Sequence, residues 1–338
     1  MTLSIVILNW NGAEMLRRFL PSVIGHSPEA QVVVADNGSS DDSLSVLAEE
    51  FPNIRTILFD HNYGFAEGYN NAIAQVDSEL CLLLNNDVRV EEGWLKPMLD
   101  YMEAHPEVAC CQPKICQEDA PDMLEYAGAC GGFIDKWGLP FCRGRMLGTL
   151  ERDEGQYDSI VPLAWATGAA LLIRRKEYIE AGGLDARFFA HQEEIDLCWR
   201  LRSRGHSIVC IPQSVVYHVG GGTLPKDSPQ KTYLNFRNNL LLLFKNMPEK
   251  DFCSVMHRRR LLDAAAAMHL LVGGHWAACK AVIKAHLDFR RINKNFKSDR
   301  ERNLAATVVP HRQILSPINL LWQYYGRGRH TFRKLRIK

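Results

Sequence analysis

The stretch Leu80-Cys81-Leu82-Leu83-Leu84-Asn85-Asn86-Asp87-Val88 limits the fold more than any other part of the chain. Five apolar residues in a row, bounded by polar ones, read as a strand buried on both faces. Such a strand needs helices above and below it. At its end the chain turns polar and presents a lone carboxylate, Asp87, after two amides. In an open α/β sheet, ligands sit beyond the carboxyl ends of the strands. Asp87 is therefore placed to hold a divalent metal against a phosphate. The same three residues also suit a turn closed by an Asx hydrogen bond.

What leads into that strand repeats its pattern. Ser4–Leu8 is β-rich and ends in Asn9-Trp10-Asn11-Gly12; Met15, Leu16, Phe19, Leu20 and Val23 then share one helical face. Gln31–Ala35 is the next strand, closed by Asp36-Asn37-Gly38-Ser39-Ser40-Asp41-Asp42. Helix, strand (Ile54–Phe59) and a short helix to about Val76 follow. Strand and helix alternating in this way predict right-handed crossovers and a parallel sheet. With strand order 3-2-1-4, the first and fourth strands are neighbours whose helices leave to opposite faces, and a crevice opens between them. Asn9–Gly12 and Asn85–Asp87 would flank that crevice, with Asp36 at its far edge. Asp36 reads equally as a helix-start turn residue and as a contact to a nucleotide base or ribose.

Four segments carry a resemblance. Val6-Ile7-Leu8-Asn9-Trp10-Asn11, Asp36-Asn37-Gly38-Ser39-Ser40-Asp41, Asn62-Tyr63-Gly64-Phe65-Ala66-Glu67-Gly68-Tyr69-Asn70 and Leu83-Leu84-Asn85-Asn86-Asp87 resemble, in order, the motifs of family 2 glycosyltransferases of the GT-A fold. The rhamnosyltransferase-like bacterial members are the most similar. The resemblance implies donor binding by Leu8, Asn9, Asn11, Asp36, Asn62, Gly64, Asn70, Asn85 and Asn86. It also implies Mg²⁺ or Mn²⁺ on the diphosphate, resting on Asp87, because Asn85 stands where the family's first acid would be.

Between Trp94 and Leu163 the pattern fades; its prolines and glycines suggest hairpins and loops rather than long elements, with acceptor-side loops among them. Trp165–Ile173 reads as another buried strand, entered through Gly168, and Trp165 and Gly168 are assigned to the acceptor side. Gly182–Arg200 then holds Phe188-Phe189 followed by Glu193-Glu194-Ile195-Asp196 and Arg200. This resembles the family's acidic "ED" motif, whose second acid is the usual catalytic base; Glu194 takes that place, with Glu193 on the acceptor side. Acids favoured by the helix dipole and an Asp196–Arg200 pair one turn apart account for Asp196 without chemistry. They account less well for two adjacent acids that repel. A carboxylate at a helix start is expected to stay ionised at neutral pH. Ser214–His218 reads as a strand ending in His218, which suits equally a structural strand-end residue and a ligand to metal or phosphate beside a flap made of Gly220, Gly221, Gly222 and Thr223, with Lys226, Lys231 and Arg237 beyond. Arg237 is assigned to the donor.

The far end is different in charge. Residues 257–338 hold 18 Lys/Arg against 4 Asp/Glu, within a chain whose net charge is +1. Such asymmetry points to an anionic partner; a membrane surface is favoured over nucleic acid or a merely solvated tail. Ala264–Cys279 is uncharged but, at 16 residues, shorter than the roughly 20 needed to span a bilayer. Two helices packed on the domain or lying in an interface are expected, with Arg258–Arg260, Arg290–Arg302 and Arg327–Lys338 as basic, partly disordered flanks. Ten cysteines without a CxxC pair, and no signal segment, suggest a reducing cytoplasm.

The expected fold is α/β: a GT-A, mostly parallel central sheet over residues 1–250, with a basic helical appendage over 251–338. The expected function is inverting, metal-dependent transfer of a sugar from a nucleoside-diphosphate sugar to a glycan or lipid-linked acceptor, in cell-surface polysaccharide biosynthesis. The setting is cytoplasmic, with peripheral contact to the inner membrane and no nucleic acid. A nucleotide-sugar-binding protein without transfer activity and a sugar nucleotidyltransferase stay open as alternatives. Against the latter, Asn9–Gly12 has one glycine and no cation.

Overall fold

The computed structural model describes residues 1–220, 228–335 and 337. Alternating strands and helices open the chain: β1 (Leu3–Asn9), α1 (Ala13–Gly25), β2 (Gln31–Asp36), α2 (Ser43–Glu50), β3 (Arg55–Leu58), α3 (Gly64–Ala74) and β4 (Leu80–Asn85). β1 pairs in parallel with both β2 and β4, and β2 with β3. The sheet is parallel here, as the alternation predicts, and its order is 3-2-1-4. Leu80–Leu84 is buried throughout, and each such side chain contributes about 1.5–3 kcal/mol when fully buried. The alternation of β1 and β4 divides the core in two. Ile5, Ile7, Leu82 and Leu84 face Leu16, Leu20 and Val23 of α1, while Val6, Cys81 and Leu83 face Ala66, Tyr69 and Ile73 of α3.

After β5 (Val88–Val90) and α4 (Lys96–Ala104) comes β6 (Val108–Gln117), a ten-residue buried strand. The fading pattern after Trp94 concealed it, because Gln112, Pro113 and Lys114 interrupt the apolar run. Pro113 is accommodated where the partner strand shifts register between Ile211 and Val215. Hairpins do follow: β7 (Gly132–Ile134), β8 (Pro140–Cys142), β9 (Arg145–Met146) and β10 (Thr149–Leu150) make a small antiparallel sheet. β11 (Val161–Pro162), β12 (Ala170–Arg174) and, beyond α5 (Arg175–Ala181) and α6 (Glu193–Ser203), β13 (Ser207–His218) complete the main sheet. β12 starts later than Trp165 and runs antiparallel between β4 and β6, whereas β13 runs parallel to β6.

The C-terminal third is helical: α7 (Pro229–Asn246), α8 (Glu249–Val272), α9 (Trp276–Ile292) and α10 (Lys297–Ala305). Two expected flanks are corrected. Arg258–Arg260 lies inside α8, with Arg259 buried against Asp263 (3.1 Å), and Arg290–Arg302 lies on α9, α10 and the turn between them. Helix formation wins there because Phe289 and Phe296 are buried in the main core.

One buried charge cluster ties α6 to α7. Asp196 has no exposed surface; its carboxylate accepts from Arg200 (3.0 Å), Lys245 (2.7 Å) and Asn246 (2.8 Å). Burial opposes ionisation, but Lys245 and Arg200 hold the carboxyl below its usual range. Asp196→Ala would leave Arg200 buried without a carboxylate and Lys245 with Asp185 alone (2.6 Å), so it should cost about 3–5 kcal/mol, read as a lower urea midpoint. A loss below about 1 kcal/mol, the worth of an exposed pair, would contradict this role.

Candidate active site

The carboxyl ends of β1 and β4 meet through amides. Leu8 lies opposite Asn85 in register. Asn9, fully buried, donates to Asp36 (3.1 Å) and accepts from Asn86 (3.0 Å). A side chain on Gly12 would run into this Asn9–Asn86 pair, which explains the glycine. Asp36 is spent on the same turn, since its other oxygen accepts from the Ser39 amide (2.9 Å). Asn11 holds a positive φ of 48° and accepts from the Ser40 amide (2.7 Å). Leu8, Asn9, Asn11, Asp36, Asn85 and Asn86 are thus gathered at one edge. Asn11 is open to solvent there, whereas Asn9 and Asp36 act from behind it.

Asp87 is only 8% exposed, because the end of β13 pairs with β5 right beside it, His218 opposite Val88. The His218 imidazole lies 3.1 Å from Asp87, 3.2 Å from the Asn85 amide and 3.6 Å from Glu125. Burial alone would push the imidazole down, but the two carboxylates outweigh it and raise it to about 10. His218 is therefore charged at neutral pH. Burial likewise opposes ionisation of Asp87, and His218 overcomes it, leaving the carboxyl below its usual range. Among the described residues, no three His, Cys, Asp or Glu side chains are gathered to hold a metal alone. Asp87 and His218 do fit a cation whose remaining positions come from a diphosphate and water, the usual arrangement for Mg²⁺; the imidazole must give up its proton to bind.

The acidic pair lies at the start of α6. Glu193 is buried and Glu194 half-buried, and each keeps one carboxylate oxygen without a hydrogen-bond partner. Buried polar atoms are normally satisfied, so each of these oxygens is an acceptor whose need no protein donor among the described residues meets. Burial raises Glu194 to about 7 against the pull of the backbone N–H groups at the helix start. Burial and its neighbour's charge raise Glu193 well above the usual range. The expectation of full ionisation is corrected: desolvation outweighs the helix dipole. Gly168 brings this pair to the crevice. A Cβ there would lie 3.7 Å from Glu194 Cβ, and the next residue, Ala169, accepts from the Asn85 amide (3.0 Å).

The loop before α6 is held under strain. Phe189, His191 and Gln192 have φ of 67°, 68° and 72°, which costs on the order of 1–3 kcal/mol per residue. Asn238 of α7 compensates: its amide lies 2.7–3.0 Å from the carbonyls of Phe188, Ala190 and His191. Arg237 donates to Phe188 O (2.8 Å) and lies 2.9 Å from Asn238; it joins this clamp rather than the Asn9–Asn86 edge. Asn238 and Glu125 escaped the sequence reading. A helix carrying Asn235, Asn238, Asn239 and Asn246 spends residues poorly suited to its interior, and that was the available signal for Asn238.

Other expected residues lie elsewhere. Asn62 accepts from the Gly64 amide (2.7 Å) and from Asn37 (3.0 Å), closing the turn into α3. Gly64 has φ 78°, and a Cβ placed on it would lie 3.7 Å from Phe189 O. Asn70 is saturated by Leu184 and Tyr178, so it staples α3 to the α5–α6 connection. Trp165 is core, its indole donating to Phe133 O (3.0 Å); it cannot face an acceptor directly. The expected flap, from Gly221 to Lys226, lies outside the described residues.

A parallel sheet of order 3-2-1-4, extended by β12, β6 and β13 and carrying its acids at the strand ends, is the GT-A glycosyltransferase fold. Residues 4–149 match Glycosyl transferase family 2, and this segment is a domain of that family. The chain is 27% identical over 231 residues to N-acetylglucosaminyl-diphospho-decaprenol L-rhamnosyltransferase of Mycobacterium tuberculosis, covering 64% of this chain and 75% of that one. GalNAc-T7, solved with UDP, GalNAc and Mn²⁺, superposes at a TM-score of 0.59 with 16% identity over 74% of this chain, which spans about half (48%) of that protein. Staphylococcus aureus TarS 1–349 with UDP-GlcNAc superposes at 0.55 with 13% identity, over 97% of this chain and 93% of that one. At such identities the structural likeness is one of fold.

The raised Glu194 has a consequence for stability. Its folded carboxyl holds a proton up to pH about 7, whereas an unfolded one releases it near 4.3. The folded state therefore loses ground as pH rises through that window. Glu194→Gln should melt at the wild-type temperature near pH 4 and above it at pH 8. Equal melting at both would mean that Glu194 titrates normally.

Proposed function

We propose that the chain transfers a sugar from a nucleoside-diphosphate sugar to a hydroxyl of a glycan or lipid-linked acceptor, with inversion at the anomeric carbon. The observation that carries this reading is the unpartnered oxygen of Glu194 at the start of α6, beside Gly168, whose neighbour Ala169 accepts from the Asn85 backbone amide at the end of β4. Glu194, ionised above pH about 7, takes the acceptor hydroxyl proton. The freed oxygen forms the new bond to the anomeric carbon as the bond to the diphosphate oxygen breaks, in one displacement. Asn11, Asn85 and Asn86 offer amides to the donor, and Glu193 helps order the acceptor. A divalent metal on Asp87 and His218, Mg²⁺ or Mn²⁺, would supply the charge that neutralises the departing diphosphate.

The named chemistry of relatives supports these choices. The mycobacterial relative acts on a diphospho-decaprenol-linked sugar, and GalNAc-T7 was solved with UDP and Mn²⁺. In this reading residues 1–250 carry the chemistry. The basic residues 251–338 form an appendage in peripheral contact with an anionic membrane on the cytoplasmic side.

With UDP-, dTDP- and GDP-sugars and Mn²⁺, the wild type should hydrolyse one donor slowly, which neither a nucleotidyltransferase nor an inert binding protein would do. In transfer assays Glu194→Gln should lose about 10²–10⁴-fold in turnover, the usual worth of a general base, with donor affinity nearly unchanged. Near-normal turnover would remove Glu194 from the chemistry. Asp87→Asn should keep the buried shape but abolish the Mn²⁺ dependence of donor affinity; an unchanged dependence would move the metal elsewhere.

A further inference from the structure

The second half of α8 turns an apolar stripe away from the domain. Asp263 and Ala267 face the domain, while Leu261, Ala264, Ala265, Met268 and Val272 recur at helical spacing on the opposite side, all exposed. A surface helix ordinarily shows polar residues to water. The turn Gly273-Gly274-His275 returns the chain into α9, where Trp276, Ile283 and Leu287 are again exposed. Val272 is 82% and Trp276 64% exposed, at the tip of this hairpin. Around the stripe stand Arg258, Arg260, Lys280, Lys284, Arg290 and Arg291, also exposed. Over residues 257–297 nine Lys/Arg face two acids, of which Asp263 is buried against Arg259 and His286.

We propose that the outer face of the α8–α9 hairpin docks on a bilayer of anionic phospholipid. This rests on the membrane contact read above and locates it. Val272 and Trp276 enter the interfacial layer, where tryptophan is favoured, and the surrounding cations meet the headgroup phosphates. Among the described residues no helix is long and apolar enough to cross a membrane, so the hairpin lies in the surface.

The docked orientation serves the crevice. Phe236 packs with Cys279 and Val282, and further along both helices Phe244 lies edge-on to Phe289, so α7 and α9 run in the same direction. The hairpin tip therefore lies at the end of α7 that follows the His218 strand. An acceptor held in the bilayer would meet the site from that side.

Co-sedimentation of the full chain with phosphatidylcholine vesicles, with and without phosphatidylglycerol, tests this. The wild type should bind the anionic vesicles and release them as salt rises. A Val272→Asp, Trp276→Asp double variant should bind roughly tenfold more weakly or worse, while keeping wild-type donor affinity as its measure of folding. Arg260→Glu with Lys280→Glu should lower binding to anionic vesicles in the same way. Wild-type protein that ignores all vesicles overturns both the membrane contact and this surface. Equal binding by the aspartate variant leaves the contact standing and overturns the hairpin. A dimer that the aspartate variant splits, seen by light scattering, overturns it in favour of a second copy covering this face.

Discussion

The parallel pairing of β1 with β4 is the constraint on which the rest depends. Six register pairs, from Leu3–Leu80 to Leu8–Asn85, join two strands that are apolar, the buried Ser4 near the start of β1 apart, until their carboxyl ends. Burial on both faces sends α1 to one side and α3 to the other. Polar groups can therefore emerge only at the carboxyl ends, where Asn9, Asn85, Asn86 and Asp87 converge. The crevice is a consequence of that packing, and the amides that line it are also what closes the turns around it.

Charge is arranged differently at the two edges of the crevice. At the β4 edge, the His218 cation stands between two carboxylates, Asp87 at 3.1 Å and Glu125 at 3.6 Å. At the α6 edge, Glu193 and Glu194 are adjacent acids, each with one buried oxygen that has no hydrogen-bond partner among the described residues, and a hydroxyl donor would suit the Glu194 oxygen. A paired edge suits binding of a diphosphate, and an unpaired acid suits taking a proton. Pushing a carboxyl to about 7 brings it near the pH at which general base catalysis is most effective. Asn238 belongs to this arrangement, since its amide, with Arg237 beside it, holds the carbonyls of the strained turn that aims α6.

The first ninety residues were legible because local pattern and tertiary burial agree there: each apolar run is a strand, and each polar turn ends it. β6 was not, because Pro113 and Lys114 look wrong for a buried strand. Only the bulge in β13 accommodates the proline, and only Asp153 and Asp158, at 2.7 and 2.5 Å, neutralise the lysine. The acidic pair and Asp196 could be found from spacing, but their environments could not. Whether Glu194 is ionised depends on elements brought in from α7 and from the loop at Gly168, which a helix start does not reveal. Asp87 looked exposed for the same reason, its cover coming from the far end of β13.

The central claim is that the two edges act on one bond. A crystal structure with a non-transferable nucleoside-diphosphate sugar analogue and Mn²⁺ tests it most directly. The account predicts the diphosphate beside Asp87 and His218, and the anomeric carbon turned toward the free oxygen of Glu194 with room for one hydroxyl between them. A sugar directed away from α6, with Glu194 sealed behind the strained loop, would contradict it.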